Sequence, residues 1–109
     1  MAWLVSEGRV LASLEVAMTR SERRRGLRRR SDFEGALLLE RTRWIHTFGL
    51  RFPIDVAYLG ADGTVLKTIT MHRWHLGIPM WKARSVIEAR AGAFGRWGVH
   101  IGDRLEVRE

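Results

Sequence analysis

The chain has 109 residues, 46% of them apolar and 28% charged, and it contains no cysteine. That length gives one domain, residues 1–109, with enough surface to bury a real core, and the balance excludes a disordered or fibrous chain, disulfides and thiolate chemistry. The formal charge is +7, and Thr19–Arg30 carries seven arginines against Glu22 alone, a local balance of +6.

No apolar run, Ala36-Leu37-Leu38-Leu39 included, approaches the roughly 18 residues that a membrane span needs. The N-terminus lacks a basic segment followed by an apolar one, so a soluble, cytoplasmic monomer is expected.

Trp3-Leu4-Val5 and Val10–Val16 flank Ser6-Glu7-Gly8-Arg9 and read as a hairpin. Val10, Ala12, Leu14 and Val16 alternate as a half-buried strand, with Leu11 the misfit. Thr19-Arg20-Ser21-Glu22 fits a capping box, in which the Thr19 hydroxyl and the Glu22 carboxylate each accept from the other residue's backbone. It starts a helix of about two turns that ends between Gly26 and Arg28.

Ala36–Leu39 suits a strand buried on both faces, and Trp44–Thr47 a short extended piece. Pro53 opens the strand Ile54–Leu59, the Asp62-Gly63 pair turns it, and Thr64–Thr70 returns. Met71–Trp81, with Gly77 and Pro79, reads as a loop long enough to carry function. A strand over Ser85–Arg90, a short turn or helical piece around Phe94–Trp97 and a last strand over Arg104–Arg108 complete the chain. The expected fold is mostly β, at the margin of α+β. It is a bent or barrel-like sheet of seven or eight short strands with one short helix near residues 20–28.

In order and spacing these motifs resemble the domain of unknown function 192 family. The matching residues are Thr19-Arg20-Ser21-Glu22-Arg23 with Gly26-Leu27, His46-Thr47-Phe48-Gly49-Leu50-Arg51-Phe52-Pro53-Ile54-Asp55-Val56, Asp62-Gly63, Val86-Ile87-Glu88, Ala91-Gly92 and Gly102-Asp103. The resemblance covers roughly Val10 to Val107, and the Pro-Ile-Asp-Val strand with its Asp-Gly hairpin is its most specific part. It implies a small β-rich domain with a short helix packed on it, and no established activity. Arg28 and Leu50 stand where the family usually carries Met; only the second swap conserves volume.

Three functional readings follow. The leading one is a non-catalytic domain that binds a small molecule or a protein in a groove between the Met71–Trp81 loop and the His46–Asp55 region. Its expected contacts are Arg23, His46, Thr47, Asp55, Trp74 and Trp81. The alternative is nucleic-acid or polyanion binding through Arg20, Arg24, Arg25, Arg28 and Arg29, set against an arginine skew that a GC-rich genome alone produces. The third is a small enzyme with Asp55 and Glu88 as acid and base and His46 as proton carrier.

Against catalysis, Arg23 is expected to form a buried ion pair with Asp55 or Glu88, fixing helix to sheet. Trp44 and Trp97 are assigned to the core. Burial is also the default for Trp74 and Trp81, whose exposure would mark a binding surface. His72 and His75 form a His-x-x-His pair that Gly77 and Pro79 keep from a helix, so they are weak metal candidates. No metal or cofactor is expected.

Overall fold

The computed structural model of the chain describes residues 1–28 and 30–109. Apolar-rich segments build β1 (Ala2–Ser6) and β2 (Arg9–Val16), joined by the Glu7-Gly8 turn. The register slips where Leu4 faces Ala12 but Val5 faces Val10, leaving Leu11 as the extra residue of a bulge. The break in alternation at Leu11 thus has a physical cause.

Beyond β2 the chain must cross over, because β3 (Ala36–Glu40) pairs with β2 in parallel, and parallel neighbours cannot be joined by a tight turn. The crossover carries α1 (Arg20–Arg25), whose N-cap Thr19 hydroxyl accepts from the Glu22 N–H at 3.0 Å. Among the described residues the Glu22 carboxylate makes no return bond, so half of the expected capping box forms. No residue of α1 is buried, and Leu27 just beyond it is the apolar anchor, 1% exposed.

The rest of the sheet is antiparallel: β4 (Ile54–Leu59), β5 (Val65–Met71), β6 (Ser85–Arg90) and β7 (Glu106–Arg108), with a second short helix, α2 (Ala93–Trp97). The order is β5-β4-β6-β3-β2-β1-β7. Although β5 and β7 stand at opposite ends of it, the chain beside them meets. The Leu105 N–H donates to the Gly63 carbonyl at 2.9 Å, and Val65 exchanges bonds with Asp103 and Gly102 at 2.7 and 2.8 Å. The sheet therefore curls into a half-barrel, mostly β and about a tenth helical. A Cβ on Gly63 would sit 2.3 Å from the Leu105 carbonyl oxygen, so this closure requires glycine.

Strand parity divides the core in two. Leu38, Ala57, Leu59, Ile87 and Ala89 pack with Phe94 of α2 on one face, and Leu37, Leu39, Val56, Tyr58 and Val86 pack with Leu27, Ile45 and Leu50 on the other. Trp44–Thr47 is not a strand: it holds one bridge, His46 to Leu76, and bonds in which the Gly77 N–H donates to the Ile45 carbonyl at 2.9 Å and the Thr47 N–H to the His75 carbonyl at 2.8 Å. Trp44 is not core: its indole lines an open cavity rather than packing between strands, and it is 47% exposed. Trp97, also assigned to the core, is half-buried and packs against the first cluster from its edge.

Candidate functional site

Val56 and Glu88 are directly opposite on β4 and β6, so the Glu88 carboxylate lies on the same face as Val56 and Tyr58, beneath the crossover. There it is 4% exposed, and Oε1 has no hydrogen-bond partner. The backbone closing over it must lack a side chain: Gly26 caps α1 at φ 52°, and a Cβ there would fall 2.7 Å from Glu88 Oε1. Burial pushes the Glu88 carboxyl up to about 7, against the opposing pull of the Leu27 backbone N–H and the Arg28 guanidinium.

Above Glu88 opens a cleft of about 690 Å³, walled on one side by Arg20, Arg23, Arg24, Arg25 and Arg28 and on the other by Arg41, Arg43, Trp44 and His46. Among the described residues the ion pairs are Arg30 with Glu15, Arg90 with Asp32, His100 with Asp103 and Arg104 with Asp62. None involves a cleft arginine. Several of these arginines donate to backbone instead: Arg28 to the Arg24 and Arg25 carbonyls at 3.0 and 3.3 Å, and Arg43 to Ala83 at 3.1 Å. Arg28 thereby occupies the end of α1, where backbone carbonyls attract a cation.

Burial and the Arg28 charge lower the His46 pKa, and its Nδ1 accepts the Phe48 N–H at 3.3 Å, as a neutral ring does. His46 and Glu88 thus share a cleft, but Asp55 does not join them. It lies on the opposite face of the sheet, where Oδ1 accepts from the Thr70 hydroxyl at 2.7 Å and Oδ2 from the Gly92 and Phe94 N–H groups at 3.0 and 3.1 Å. Asp55 ties the start of α2 to β4, and the expected trio of His46, Asp55 and Glu88 is split by the sheet. Nor does Arg23 pair with either carboxylate: its guanidinium reaches the Met18 carbonyl at 3.5 Å. Thr47 is wholly buried and donates to the His72 carbonyl at 2.6 Å while accepting the His75 N–H at 2.7 Å, which ties two loops together.

The groove expected between the Met71–Trp81 loop and the His46–Asp55 region is not the main cavity. Beside that loop lies a cavity of about 50 Å³ lined by Tyr58, Met71 and Gly77. Trp74 and Trp81 are not core but 65% and 74% exposed, because Trp74 sits on a turn with φ 63° and Trp81 on a loop without strand neighbours. His72 and His75 are exposed with ring centroids 6.1 Å apart. Among the described residues no group of three or more His, Cys, Asp or Glu gathers to hold a metal. Arg29 lies outside the described residues. Arg41, Arg43, Trp44 and Gly26 belong to the cleft although sequence reasoning did not assign them. The one available signal was a glycine directly before the sole apolar residue of an arginine run.

The model of DUF192, described as Uncharacterized ACR, matches residues 2–107. The chain belongs to this family. Its match with the UPF0127 protein PF1050 of Pyrococcus furiosus is 29% identical over 62 residues, 57% of this chain and 53% of that protein. The aligned part spans about half the length of that relative. Two solved structures share the fold. One, a protein of unknown function from Novosphingobium aromaticivorans, has a TM-score of 0.79 at 19% identity, over 96% of this chain and 82% of that one. The other, provisionally assigned as a transcription regulator of Sinorhizobium meliloti, has a TM-score of 0.81 at 25% identity, over 97% and 91%. No helix of this DUF192 domain, among the described residues, is long and apolar enough to cross a membrane.

Proposed function

We propose that this chain is a binding domain for an anionic ligand, received in the cleft between α1 and the Arg41–His46 segment. The observation that carries this reading is seven arginines around one cavity with no carboxylate among the described residues paired to any of them. Cations gathered in a concave surface focus a positive potential on whatever enters it. The one carboxylate at the floor is Glu88, which burial holds near neutral. Once protonated, it stops opposing an anion and presents an O–H donor. The cavity has the size of a small-molecule site.

The test is a calorimetric titration with inorganic tripolyphosphate. Binding is expected at low salt, weakening steeply as salt rises, and lost in the Arg24→Glu/Arg25→Glu double variant. Absence of binding at 50 mM salt, or binding indifferent to that double variant, sinks the proposal. The provisional regulator assignment of the Sinorhizobium relative is in keeping with a domain that works by binding.

A further inference from the structure

Resting on that reading, a second feature beside the cleft narrows the ligand. Trp44, His46, Phe48 and Trp74 form a continuous row: Trp44 meets His46 edge-on at 6.4 Å, His46 stacks on Phe48 at 5.1 Å, and Phe48 lies against Trp74 at 6.3 Å. These rings are not hidden, for Trp44, Phe48 and Trp74 are 47%, 40% and 65% exposed. They are also held in place. The Trp44 indole N–H donates to the Gly77 carbonyl at 2.7 Å, and buried Thr47 fixes the turn that carries Trp74. That turn places Trp74 at φ 63°, a conformation bulky side chains avoid, and its N–H is bound to the Thr47 carbonyl at 3.0 Å. The fold thus spends backbone strain to present an indole to solvent, as functional sites do.

The row begins in the arginine cleft. Trp44 and His46 line that cleft themselves, and Arg28 packs beside Gly49 just past Phe48. A second depression, of about 580 Å³, shares Arg20, Arg24, Arg25 and Arg28 with the first. Two cationic hollows flanked by fixed rings exceed what one small anion fills.

We propose that the anion bound here is single-stranded nucleic acid, its phosphates tracking the arginines and its bases stacking on the aromatic row. Positive grooves combined with aromatic platforms bind single strands with little sequence preference, because every base has a π-face. A duplex keeps those faces inside its own stack.

The test uses fluorescein-labelled oligo(dT) of twelve nucleotides, followed by anisotropy. If Arg20, Arg24, Arg25 and Arg28 each meet roughly one phosphate, affinity falls about fifty-fold between 50 and 200 mM salt. Trp44→Ala and Trp74→Gly each weaken binding about tenfold, and Trp74→Gly, whose indole lies outside the arginine cleft, does so while leaving tripolyphosphate binding intact. If oligo(dT) binds no better than polyphosphate of equal charge and neither tryptophan variant changes it, the nucleic-acid inference falls while the anion cleft stands. Failure of both probes removes both. Thymidine monophosphate binding as tightly as the twelve-mer overturns the single-strand inference. Capture by phosphatidylserine vesicles with no binding of oligo(dT) does the same.

Discussion

Replacing Glu88 by glutamine changes the charge at the cleft floor while keeping its shape, which makes it the most informative single substitution. The carboxyl titrates near 7 in the folded chain against 4.5 when exposed. Between those values the folded protein holds a proton that the unfolded chain has released. Stability therefore falls as pH rises through this window, by roughly 1.4 kcal/mol per pH unit and about 3 kcal/mol in all. Below about pH 4.5 both states are protonated and the penalty is absent.

The groups facing Glu88 do not blur the comparison. Tyr58 stays neutral because burial and Glu88 raise its pKa further, and His46, whose pKa burial and Arg28 lower, is present in both proteins. Urea unfolding of the native protein and Glu88→Gln, from pH 5 to pH 8, is thus expected to show a small difference at pH 5. The difference grows to about 2–3 kcal/mol in favour of the variant at pH 8, a melting increase of roughly 10 °C. A difference that stays constant across this range would mean that Glu88 ionises like an exposed carboxylate, and the reasoning about its burial would be refuted.

Gly26→Ala is expected to destabilise by about 2 kcal/mol or more at pH 7, from positive φ and the clash with Glu88, read by chemical denaturation. Asp55→Ala strips the Gly92 and Phe94 N–H groups of their acceptor. It is expected to cost roughly 2–4 kcal/mol, with amide exchange speeding first in α2. Trp74→Gly should raise stability by about 1 kcal/mol through release of backbone strain; a loss of that size would show that the indole's contacts outweigh the strain. Tripolyphosphate binding is expected to tighten as pH falls from 8 to 6, as Glu88 gains its proton. In Glu88→Gln that trend should flatten, and calorimetry at the two pH values compares them.

Much of the fold could be read from local chemistry. Pro53, the largely apolar Ile54–Leu59 run and Asp62-Gly63 place a hairpin within a residue or two, and the irregular Leu11 marks a bulge that the register contains. The cleft was less legible, because its parts come from strand parity and from a parallel crossover. Asp55 and Glu88 look alike in sequence, yet one residue of offset in the β4–β6 register sends them to opposite faces. Trp44 looks like core because its neighbours are apolar. It is exposed because Arg41–Thr47 edges a cavity rather than joining a strand. Composition indicated an arginine cluster but not which cations lacked partners. Arg30 leaves the cluster for Glu15, while Arg41 and Arg43 join from another segment.

The closure of the half-barrel governs how this chain must assemble. β1 pairs with β7, Trp3 opposite Arg108, and the Gly63–Val65 stretch is bonded to Gly102–Leu105, so the last contacts join the most distant parts of the polymer. Ordering such long loops comes before the contacts that compensate for it, which places folding in the millisecond-to-second range typical of non-local β topologies. Until β7 arrives, the outer edge of β1 offers unpaired backbone beside Trp3, a template for another copy of the chain. Refolding yield should therefore fall with protein concentration more steeply than native stability alone predicts.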